Sequence, residues 1–409
     1  MKFDTIIIGG GLSGFTAGIA LAEAGKKCLL VSGGQSALHF FNGSIELLNG
    51  SNPIAAISSL DAKHPYAKIG GAKVEELAKA VNPFMASLGF TMNGEAQKNH
   101  YRVTPVGLLK QAWLTLDELA AVPDNGETMP WKEVQIINIK GYLDFNPGFV
   151  AANLAKYGVE AKLLEITTPQ LENLRRNPSE MRSANIAKTL VGDALEAFAA
   201  KVNEVADKSA DVVLMPAVLG FSDGDAVKRL QQLVEKPVKL IATLPPSVPG
   251  IRLQTALRRR FLQKGGTLMS NDRVVSGRIA DGRLMSVCIE NHGDREFEAD
   301  NFILATGNFI THGLASTRDG VVEPALGLDV DCLEDRKQWT SDDIFADQPF
   351  MSFGVATDST LCAIKNGQPV QNLYATGNVL SGFNAVKQGC TTGISLITGL
   401  YAAEQILKK

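Results

Sequence analysis

The opening of the chain alternates between apolar strands and a helix of small residues. Residues 5–8 form a short, nearly continuous apolar run, which is typical of a strand buried on both faces of a parallel sheet. A glycine-rich turn follows, and residues 13–24 carry apolar side chains among alanines, which predicts a closely packed helix ending at Gly25. A second apolar run at residues 28–31 completes a strand–helix–strand unit.

The middle and last parts of the chain repeat this alternation. From about residue 133 to residue 243, apolar strands alternate with helical segments, which predicts a second α/β layer. A proline-rich stretch at 244–250 then interrupts the pattern. The predicted strands are residues 135–139, 160–166, 212–215, 238–243, 267–275, 285–291, 301–305 and 373–375, and the predicted helices are residues 147–156, 179–207, 224–234, 251–264 and 392–407.

These elements predict an α/β protein with a discontinuous, Rossmann-like nucleotide-binding domain. Its first part covers residues 1–110, an inserted α/β middle domain covers 111–245, and its remaining parts cover 246–409. A chain of 409 residues is long enough for two or three domains of about 100–200 residues each. We therefore expect one split domain interrupted by one insertion.

Composition and charge exclude several classes of protein. The 40 Lys and Arg residues against 43 Asp and Glu give a net charge of −3, spread along the chain, which argues against a nucleic-acid-binding surface. Charged residues are 20% of the chain, below the roughly 25% of typical soluble domains. This low charged fraction indicates either a large buried interior or a surface that is covered by a partner. Glycine is in excess, with 39 residues where about 29 are usual.

Neither a metal site nor a membrane span is expected. The five cysteines, at positions 28, 288, 332, 362 and 390, include no Cys-x-x-Cys pair, which argues against an iron–sulfur cluster or a zinc ribbon and favours a reduced, cytoplasmic location. The N-terminal apolar run is too short for a signal peptide. The longest apolar stretches, 212–221 and 393–403, fall short of the ~20 residues that span a bilayer. Any membrane contact is therefore expected through a partner.

The glycines of the first turn carry the clearest chemistry. Gly9, Gly11 and Gly14 form a Gly-x-Gly-x-x-Gly motif directly between the first strand and the first helix. Gly9 permits the tight turn, Gly11 lets backbone amides approach a phosphate, and Gly14 lets the helix pack against the strand. The N-terminus of the helix, with Leu12 and Ser13 in its first turn, favours an anion. A nucleotide phosphate site is predicted here.

Two later segments distinguish a flavin from a nicotinamide. Residues 301–307 are a strand that runs into Ala-Thr-Gly, and residues 372–378 repeat this before a glycine-rich segment and the closing helix. This combination resembles the flavoproteins with two dinucleotide-binding domains, a class that includes fumarate reductase flavoproteins. The resemblance implies an FAD/NAD(P)-binding, Rossmann-like flavoprotein fold whose last helix brings its N-terminus to the flavin. An NAD-dependent dehydrogenase needs neither segment and is disfavoured.

The resemblance narrows to one family. Segments 34–40, 102–105, 243–254, 326–330 and 388–390 are similar, in order along the chain, to those of the B-subunit family of anaerobic glycerol-3-phosphate dehydrogenases. That resemblance implies a flavin protein that pairs with the A and C subunits, of which the first is catalytic and bears FAD and the second is a membrane-associated iron–sulfur protein. The complex would lie peripheral to the inner membrane. It would oxidise sn-glycerol 3-phosphate to dihydroxyacetone phosphate and pass electrons to quinone, as part of glycerol metabolism and anaerobic respiration.

The resemblance implies FMN as the cofactor, and two departures from the broader flavoprotein pattern bear on that choice. The second strand ends at Ser32, where an acidic residue usually holds the adenosine ribose, and Asn378 stands where Asp or Glu commonly follows the glycine. FAD and an empty site remain open. Cofactor contacts are expected where the glycines gather, at Gly9, Gly11, Leu12, Ser13, Gly14, Ser32, Gly33, Gln35, Ser36, Thr306, Gly307, Gly377, Asn378, Gly389, Cys390 and Thr391.

Hydride transfer from C2 of glycerol 3-phosphate needs a base for the hydroxyl proton and cations for the phosphate. The candidates for these catalytic roles are His39 in the loop after the second strand, Arg252 after the proline-rich stretch, and His312 after the first Ala-Thr-Gly strand. Lys387 is a further cation near the flavin strands. Cys390, at the start of the last helix, is either a low-pKa thiol or a small packing residue.

Two other functions stay open. A self-contained flavin oxidoreductase of the fumarate reductase type would turn over with a soluble dye and no partner, although the chain has no obvious His/Arg constellation for a dicarboxylate. A non-catalytic scaffold that keeps the fold but has lost its cofactor is motivated by the two missing acidic contacts. The presence and the mass of a bound flavin distinguish these alternatives.

Overall fold

The helices and strands are defined in a computed structural model that describes residues 2–123, 126, 128–222 and 224–409. The helices are α1 (Leu12–Glu23), α2 (Pro65–Ile69), α3 (Gly71–Ser87), α4 (Pro147–Ala155), α5 (Pro169–Arg175), α6 (Ser183–Thr189), α7 (Asp193–Val205), α8 (Asp225–Leu233), α9 (Val248–Gln263), α10 (Ala385–Gln388) and α11 (Thr391–Leu407). The strands are β1 (Lys2–Ile8), β2 (Cys28–Ser32), β3 (Ser44–Ile45), β4 (Met92–Asn93), β5 (His100–Val103), β6 (Leu109–Ala112), β7 (Leu114–Leu116), β8 (Ala121–Val122), β9 (Glu133–Ile139), β10 (Glu160–Ile166), β11 (Val212–Pro216), β12 (Val238–Ile241), β13 (Thr267–Ser270), β14 (Val274–Ala280), β15 (Arg283–Ile289), β16 (Glu296–Leu304), β17 (Ala315–Ser316), β18 (Val321–Val322), β19 (Val330–Asp331), β20 (Gly354–Val355), β21 (Cys362–Lys365) and β22 (Gln368–Ala375).

The chain divides into two compact units. The first contains Met1–Ala37, Glu46–Pro83 and Leu257–Lys409, and the second contains Leu38–Ile45 and Phe84–Ala256. Both units are therefore discontinuous in sequence. The domain boundaries expected from the sequence, at 110/111 and 245/246, stay a prediction.

The first unit is built around a sheet with the strand order β13-β2-β1-β16-β15-β14, in which β22 pairs with β16 and β21 pairs with β22. The parallel pairs of this sheet are β13 with β2, β2 with β1, β1 with β16, and β16 with β22. The antiparallel pairs include β16 with β15 and β15 with β14. Ile6 and Ile7 of β1 are fully buried, as expected for a strand covered on both faces. The strand–helix–strand unit predicted at the start of the chain is confirmed as β1, α1 and β2.

Helices α1 and α11 pack closely in the first unit because small residues line their contact. A Cβ at Gly399 of α11 would lie 2.7 Å from the carbonyl oxygen of Ser13, and Thr16 and Ala17 of α1 border the same position. The predicted closing helix is confirmed as α11. Its backbone can approach α1 this closely because Gly399 has no side chain.

The second unit contains a parallel sheet with the strand order β10-β9-β11-β12. Helix α4 packs against β9 and β10, and α7 packs against α8. The second α/β layer predicted from the alternation of residues 133–243 is confirmed. The short strands β3 to β8, which the sequence did not predict, form two further small sheets in this unit.

Two predicted elements are wrong in their continuity. The single helix predicted at 179–207 is replaced by α6 and α7, because Gly192 has a φ of 51° and a right-handed helix cannot continue through that conformation. The strand predicted at 267–275 is divided into β13 and β14, and Asn271 between them has a φ of 58°. None of the described helices is long and apolar enough to cross a membrane.

Candidate functional site

The glycine-rich turn between β1 and α1 is shaped by close backbone contacts. Gly9 has a φ of 121°, and a Cβ there would lie 2.2 Å from the carbonyl oxygen of Ala305; a Cβ at Gly14 would lie 2.1 Å from the carbonyl oxygen of Gly9. At Gly11, by contrast, no atom of the described chain other than those of Gly11 and its two neighbours in sequence lies within 4 Å of the Cβ position. There is therefore space beside Gly11 at the start of α1, where the helix amides and dipole favour a phosphate.

The second Ala-Thr-Gly segment is tied directly to this turn. The Ser13 hydroxyl donates a hydrogen bond of 2.6 Å to the hydroxyl of Thr376, which follows β22. Gly377 has a φ of 71°, and its N–H donates to the Thr398 hydroxyl of α11 at 2.8 Å. A Cβ at Gly377 would lie 2.8 Å from that of Ser13. The turn, the end of β22 and α11 thus form one packed region of the first unit.

The first Ala-Thr-Gly segment follows β16, which pairs with β1. The Ala305 N–H donates to the carbonyl oxygen of Ile8 at 2.8 Å, so this segment lies beside the end of β1. Gly307 has a φ of 80°, and the Thr311 hydroxyl donates to the carbonyl oxygen of Thr306 at 2.8 Å. The structure therefore brings together three of the segments in which cofactor contacts were predicted.

Two buried polar atoms in these segments lack partners. Within the described part of the chain, the hydroxyl oxygen of Thr306 and the side-chain oxygen of Asn378 are buried without a hydrogen-bond partner. A buried polar group without a partner is costly to the fold. Both atoms belong to residues predicted to contact the cofactor, and together with the space in front of Gly11 they fit a polar nucleotide ligand.

The start of α11 is held by a second set of contacts. Gly389 ends α10 with a φ of 59°, and a Cβ there would lie 2.1 Å from Oδ1 of Asn49. The Thr392 hydroxyl accepts a hydrogen bond from the Glu46 N–H at 2.9 Å and donates to its carboxylate at 3.1 Å. Residues Cys390 and Thr391 are therefore fixed between α10 and this contact.

Cys390 is a packing residue in this position. Its side chain is fully buried, and burial raises the pKa of its thiol above the usual range. Of the two sequence interpretations, the structure favours packing over a low-pKa thiol.

The loop after β2 supplies the remaining predicted cofactor residues. The Ser32 hydroxyl donates to the carbonyl oxygen of Gly34 at 3.2 Å, and a Cβ at Gly10 would lie 2.4 Å from the Ser32 hydroxyl oxygen. Gly33 and Gln35 are exposed, and Ser36 is half-buried. A carboxylate does lie nearby, because the Asp272 N–H donates to the carbonyl oxygen of Ser32.

The Asp272 carboxylate is already engaged by its own surroundings. It accepts hydrogen bonds from the Arg273 N–H at 3.0 Å and from the backbone and side-chain nitrogens of Asn291 at 3.2 Å each. His292 lies 3.4 Å from its second oxygen. The acidic group beside the end of β2 thus has a structural role in the described fold.

The three predicted catalytic residues have different surroundings. In the second unit, Nε2 of His39 lies 2.5 Å from Oε1 of Gln254, and because an amide oxygen only accepts, this contact is a hydrogen bond when Nε2 carries the proton. In the same unit, Arg252 is 3% exposed, forms an ion pair with Glu118 and lies over the ring of Phe90. His312 belongs to the first unit and is exposed.

A cleft of about 720 Å³ opens beside α10 in the first unit. Apolar residues such as Leu48, Leu333 and Phe383 line it together with Lys387, whose ammonium forms an ion pair with Asp347. The cleft therefore has both apolar and charged walls. Across the described residues, no group of three or more His, Cys, Asp or Glu side chains could hold a metal ion.

Comparison with known proteins gives the family. A family model described as "FAD binding domain" matches residues 4–394. The B subunit of anaerobic glycerol-3-phosphate dehydrogenase from Yersinia pseudotuberculosis serotype I is 40% identical over 421 residues, with 100% of this chain and 99% of the relative covered. The chain belongs to this B-subunit family. The B subunit from Pectobacterium atrosepticum is 40% identical over 427 residues, with the same coverage.

Membership of the B-subunit family confirms the resemblance found in the sequence, the flavoprotein fold class and a flavin-binding domain. The relatives' name makes them components of a multi-subunit dehydrogenase. Among solved structures, 3-ketosteroid delta1-dehydrogenase from Sterolibacterium denitrificans covers 100% of both chains at 11% identity and a TM-score of 0.47. That likeness is too remote to identify a function.

Several residues that shape the site of this B-subunit chain escape sequence reasoning. His64 and Tyr66 are fully buried beside α11, and a Cβ at Gly393 would lie 2.7 Å from the Tyr66 hydroxyl oxygen. Glu46 meets Thr392 across 346 residues of sequence. No motif marks these positions. Thr376 is different, because the repeated Ala-Thr-Gly already pointed to it.

Proposed function

We propose that this chain is the flavin-bearing B subunit of an anaerobic, quinone-linked glycerol-3-phosphate dehydrogenase. In that reaction sn-glycerol 3-phosphate is oxidised to dihydroxyacetone phosphate. The observation that carries the proposal is the match at 40% identity over the whole chain to relatives of that name. The glycine-rich turn, the two Ala-Thr-Gly segments and the start of α11 supply the site.

We propose that the flavin is FMN. Its phosphate would lie at the first turn of α1, and Thr306 and Asn378, whose buried oxygens have no partner within the described chain, would bind its polar edge. FAD would need a group for the adenosine ribose, but β2 ends in Ser32, whose hydroxyl donates to Gly34, and the Asp272 carboxylate is engaged elsewhere. This supports FMN, although the matching family model is named for FAD.

The flavin supplies the hydride acceptor when it is bound. We propose that His39 takes the proton of the substrate C2 hydroxyl at Nδ1, because its Nε2 is held by Gln254. Arg252 would contribute positive charge for the phosphate. Its Nε and Nη1 are buried without a hydrogen-bond partner in the described part of the structure, although Glu118 takes its third nitrogen. His312, which follows the first Ala-Thr-Gly segment, is the third proposed catalytic residue.

The remaining cofactor and partner assignments are proposed from the resemblance found in the sequence. Gly389, Cys390 and Thr391 would present the N-terminus of α11 to the flavin, where the backbone amides and the helix dipole would favour negative charge. We propose two partners for the chain. One is a catalytic FAD subunit, and the other is a membrane-associated iron–sulfur subunit through which the chain would be held at the inner membrane. The five cysteines, none of them paired, leave electron transfer to quinone to such partners.

The test is the absorption spectrum of the purified chain together with the mass of the cofactor released from it. FMN in a chain that associates with the catalytic FAD and iron–sulfur subunits is expected. FAD would correct the cofactor, and a colourless chain after expression with excess flavin would favour a scaffold. Turnover of a dicarboxylate with a soluble dye and no partner would instead favour an oxidoreductase of the fumarate reductase type.

A further inference from the structure

Two of the most exposed large apolar side chains of the first unit lie together on one loop. Phe345 is 95% exposed and Ile344 is 80% exposed, in the segment 341–348. Single exposed apolar residues are common on protein surfaces, but two adjacent ones at this exposure form a patch that favours a partner. We name this segment the 341–348 loop.

The 341–348 loop is held in place by its own hydrogen bonds. The Ser341 N–H donates to the side-chain oxygen of Gln348 at 2.9 Å, and the Gln348 amide nitrogen donates back to the carbonyl oxygen of Asp343 at 2.9 Å. The Phe345 N–H donates to the Asp343 carboxylate at 2.9 Å. The backbone therefore presents Ile344 and Phe345 to solvent in a fixed geometry, which lowers the entropic cost of binding a partner.

Helix α10 extends the patch. Lys387 forms an ion pair with Asp347 of the 341–348 loop, and its neighbour Val386 is 65% exposed. The cleft of about 720 Å³ is lined by Asp347 and Gln348 on the loop side and by Lys387 and other residues of the first unit. A protruding apolar pair thus stands beside a cleft with partly apolar walls, so the surface offers both a projection and a recess.

The position and the charge of this surface point to the kind of partner. Helix α10 ends at Gln388, and only Gly389 and Cys390 separate it from α11, so a partner seated on α10 would lie next to a predicted flavin segment. Asp342 and Asp343 are exposed beside the apolar pair. A complementary partner would offer an apolar pocket bordered by Lys or Arg.

We propose that the 341–348 loop and α10 form the docking surface for the iron–sulfur subunit of the dehydrogenase. The proposal rests on the proposed function, which supplies that partner. Phe345 and Ile344 would be the anchors of the interface, and the aspartates would select a basic rim. Aromatic side chains inserted into a partner's pocket are the usual source of most of the binding energy in such interfaces.

The experiment co-produces the full-length chain with the catalytic FAD and iron–sulfur subunits and measures the dissociation constant for each. The double substitution Ile344→Ser/Phe345→Ser is expected to weaken binding of the iron–sulfur subunit about tenfold or more, with binding of the catalytic FAD subunit retained. Asp342→Lys is expected to weaken the same iron–sulfur binding by about threefold, with a loss that shrinks at high salt. Leu143→Ser is the matched control, because Leu143 is 86% exposed but belongs to the second unit.

The outcomes separate this proposal from the proposed function. If the double variant binds the iron–sulfur subunit with unchanged affinity, the proposed docking surface is overturned while the proposed function stands. The docking surface is also overturned if the double variant loses affinity only for the catalytic FAD subunit. Conversion of a dimer of this chain into monomers would make a second copy the occupant and also overturn it. If the unaltered chain binds neither partner, the proposed function fails first. All variants should keep the bound flavin and the melting temperature of the unaltered chain.

Discussion

The hydroxyl of Ser13 donates to the hydroxyl of Thr376 at 2.6 Å, although 363 residues separate them in the sequence. Ser13 lies in the first turn of α1 and Thr376 directly follows β22, and both side chains are buried. One hydrogen bond thus joins the glycine-rich turn to the second Ala-Thr-Gly segment. Both segments are predicted to bind the flavin, so this contact fixes one side of the site relative to the other.

Thr376→Val should destabilise the protein by about 1–3 kcal/mol, because the buried Ser13 hydroxyl loses its acceptor. Ser13→Ala should cost less, and the double variant should show a coupling energy of about 1 kcal/mol between the two positions. Urea denaturation measures these free energies. Thr255→Val, on the exposed face of α9, is the control and should stay within about 0.5 kcal/mol. Strict additivity of the two single changes would contradict a direct interaction.

Gly9→Ala and Gly11→Ala should separate folding from flavin binding. At Gly9 the new Cβ would lie 2.2 Å from a carbonyl oxygen and the φ of 121° disfavours alanine, so we expect insoluble or strongly destabilised protein. At Gly11 the φ is −84°, and no described atom outside Gly11 and its two neighbours in sequence lies within 4 Å of the Cβ position, so stability should change by about 1 kcal/mol or less.

The Gly11 variant should still lose flavin, because its methyl group occupies the space in which the phosphate is proposed to lie. Flavin affinity, measured by fluorescence titration of the refolded chain, should fall at least about tenfold, which corresponds to roughly 1.4 kcal/mol of binding free energy. Unchanged affinity in a fully folded Gly11→Ala variant would place the phosphate elsewhere.

The ion pair between Arg252 and Glu118 predicts an asymmetry between single and double substitutions. Both side chains are nearly fully buried, so removing one partner leaves an uncompensated charge. Glu118→Leu should destabilise the chain by about 3–5 kcal/mol, whereas Glu118→Leu/Arg252→Leu should recover much of that loss. Chemical denaturation with guanidinium chloride compares the variants. A double variant no more stable than the single one would show that Arg252 has further structural partners.

The sequence predicted the parts of the site that lie in local motifs. Gly9, Gly11 and Gly14 are recognisable because the tight turn, the phosphate approach and the helix packing each demand a glycine within a few residues of β1. Thr306 and Gly377 are recognisable because Ala-Thr-Gly follows a buried strand twice. Period and spacing carry such information without knowledge of the tertiary structure.

Contacts made between distant segments could not be predicted in this way. Glu46 binds Thr392, and His64 lies beside Phe383, only because the chain returns to the same place after more than 300 residues. Likewise, the break at Gly192 gave no period change large enough to distinguish one long helix from α6 and α7. Arg252 was found because it lies in a family motif, but no sequence motif identifies Glu118 as its buried partner.

His64 predicts a loss of stability on mild acidification. Its side chain is fully buried, its Nδ1 accepts a hydrogen bond from the Tyr66 N–H at 3.0 Å at the start of α2, and burial lowers its pKa to about 4. In the unfolded chain the pKa is about 6.5, so between these values the unfolded state binds more protons and stability falls as the pH falls. The loss attributable to His64 should reach about 2 kcal/mol between pH 7 and pH 5.

His64→Asn should remove this component, because the asparagine oxygen can still accept from Tyr66 but has no proton to gain in that range. The measurement is the free energy of unfolding in urea at pH 7, 6 and 5, where most carboxylates remain ionised in both states. His312→Asn is the control, since the His312 side chain is exposed, and the stability of this variant should follow the pH in the same way as that of the unaltered chain. Equal losses in the unaltered chain and in His64→Asn would show that another group accounts for the acid sensitivity.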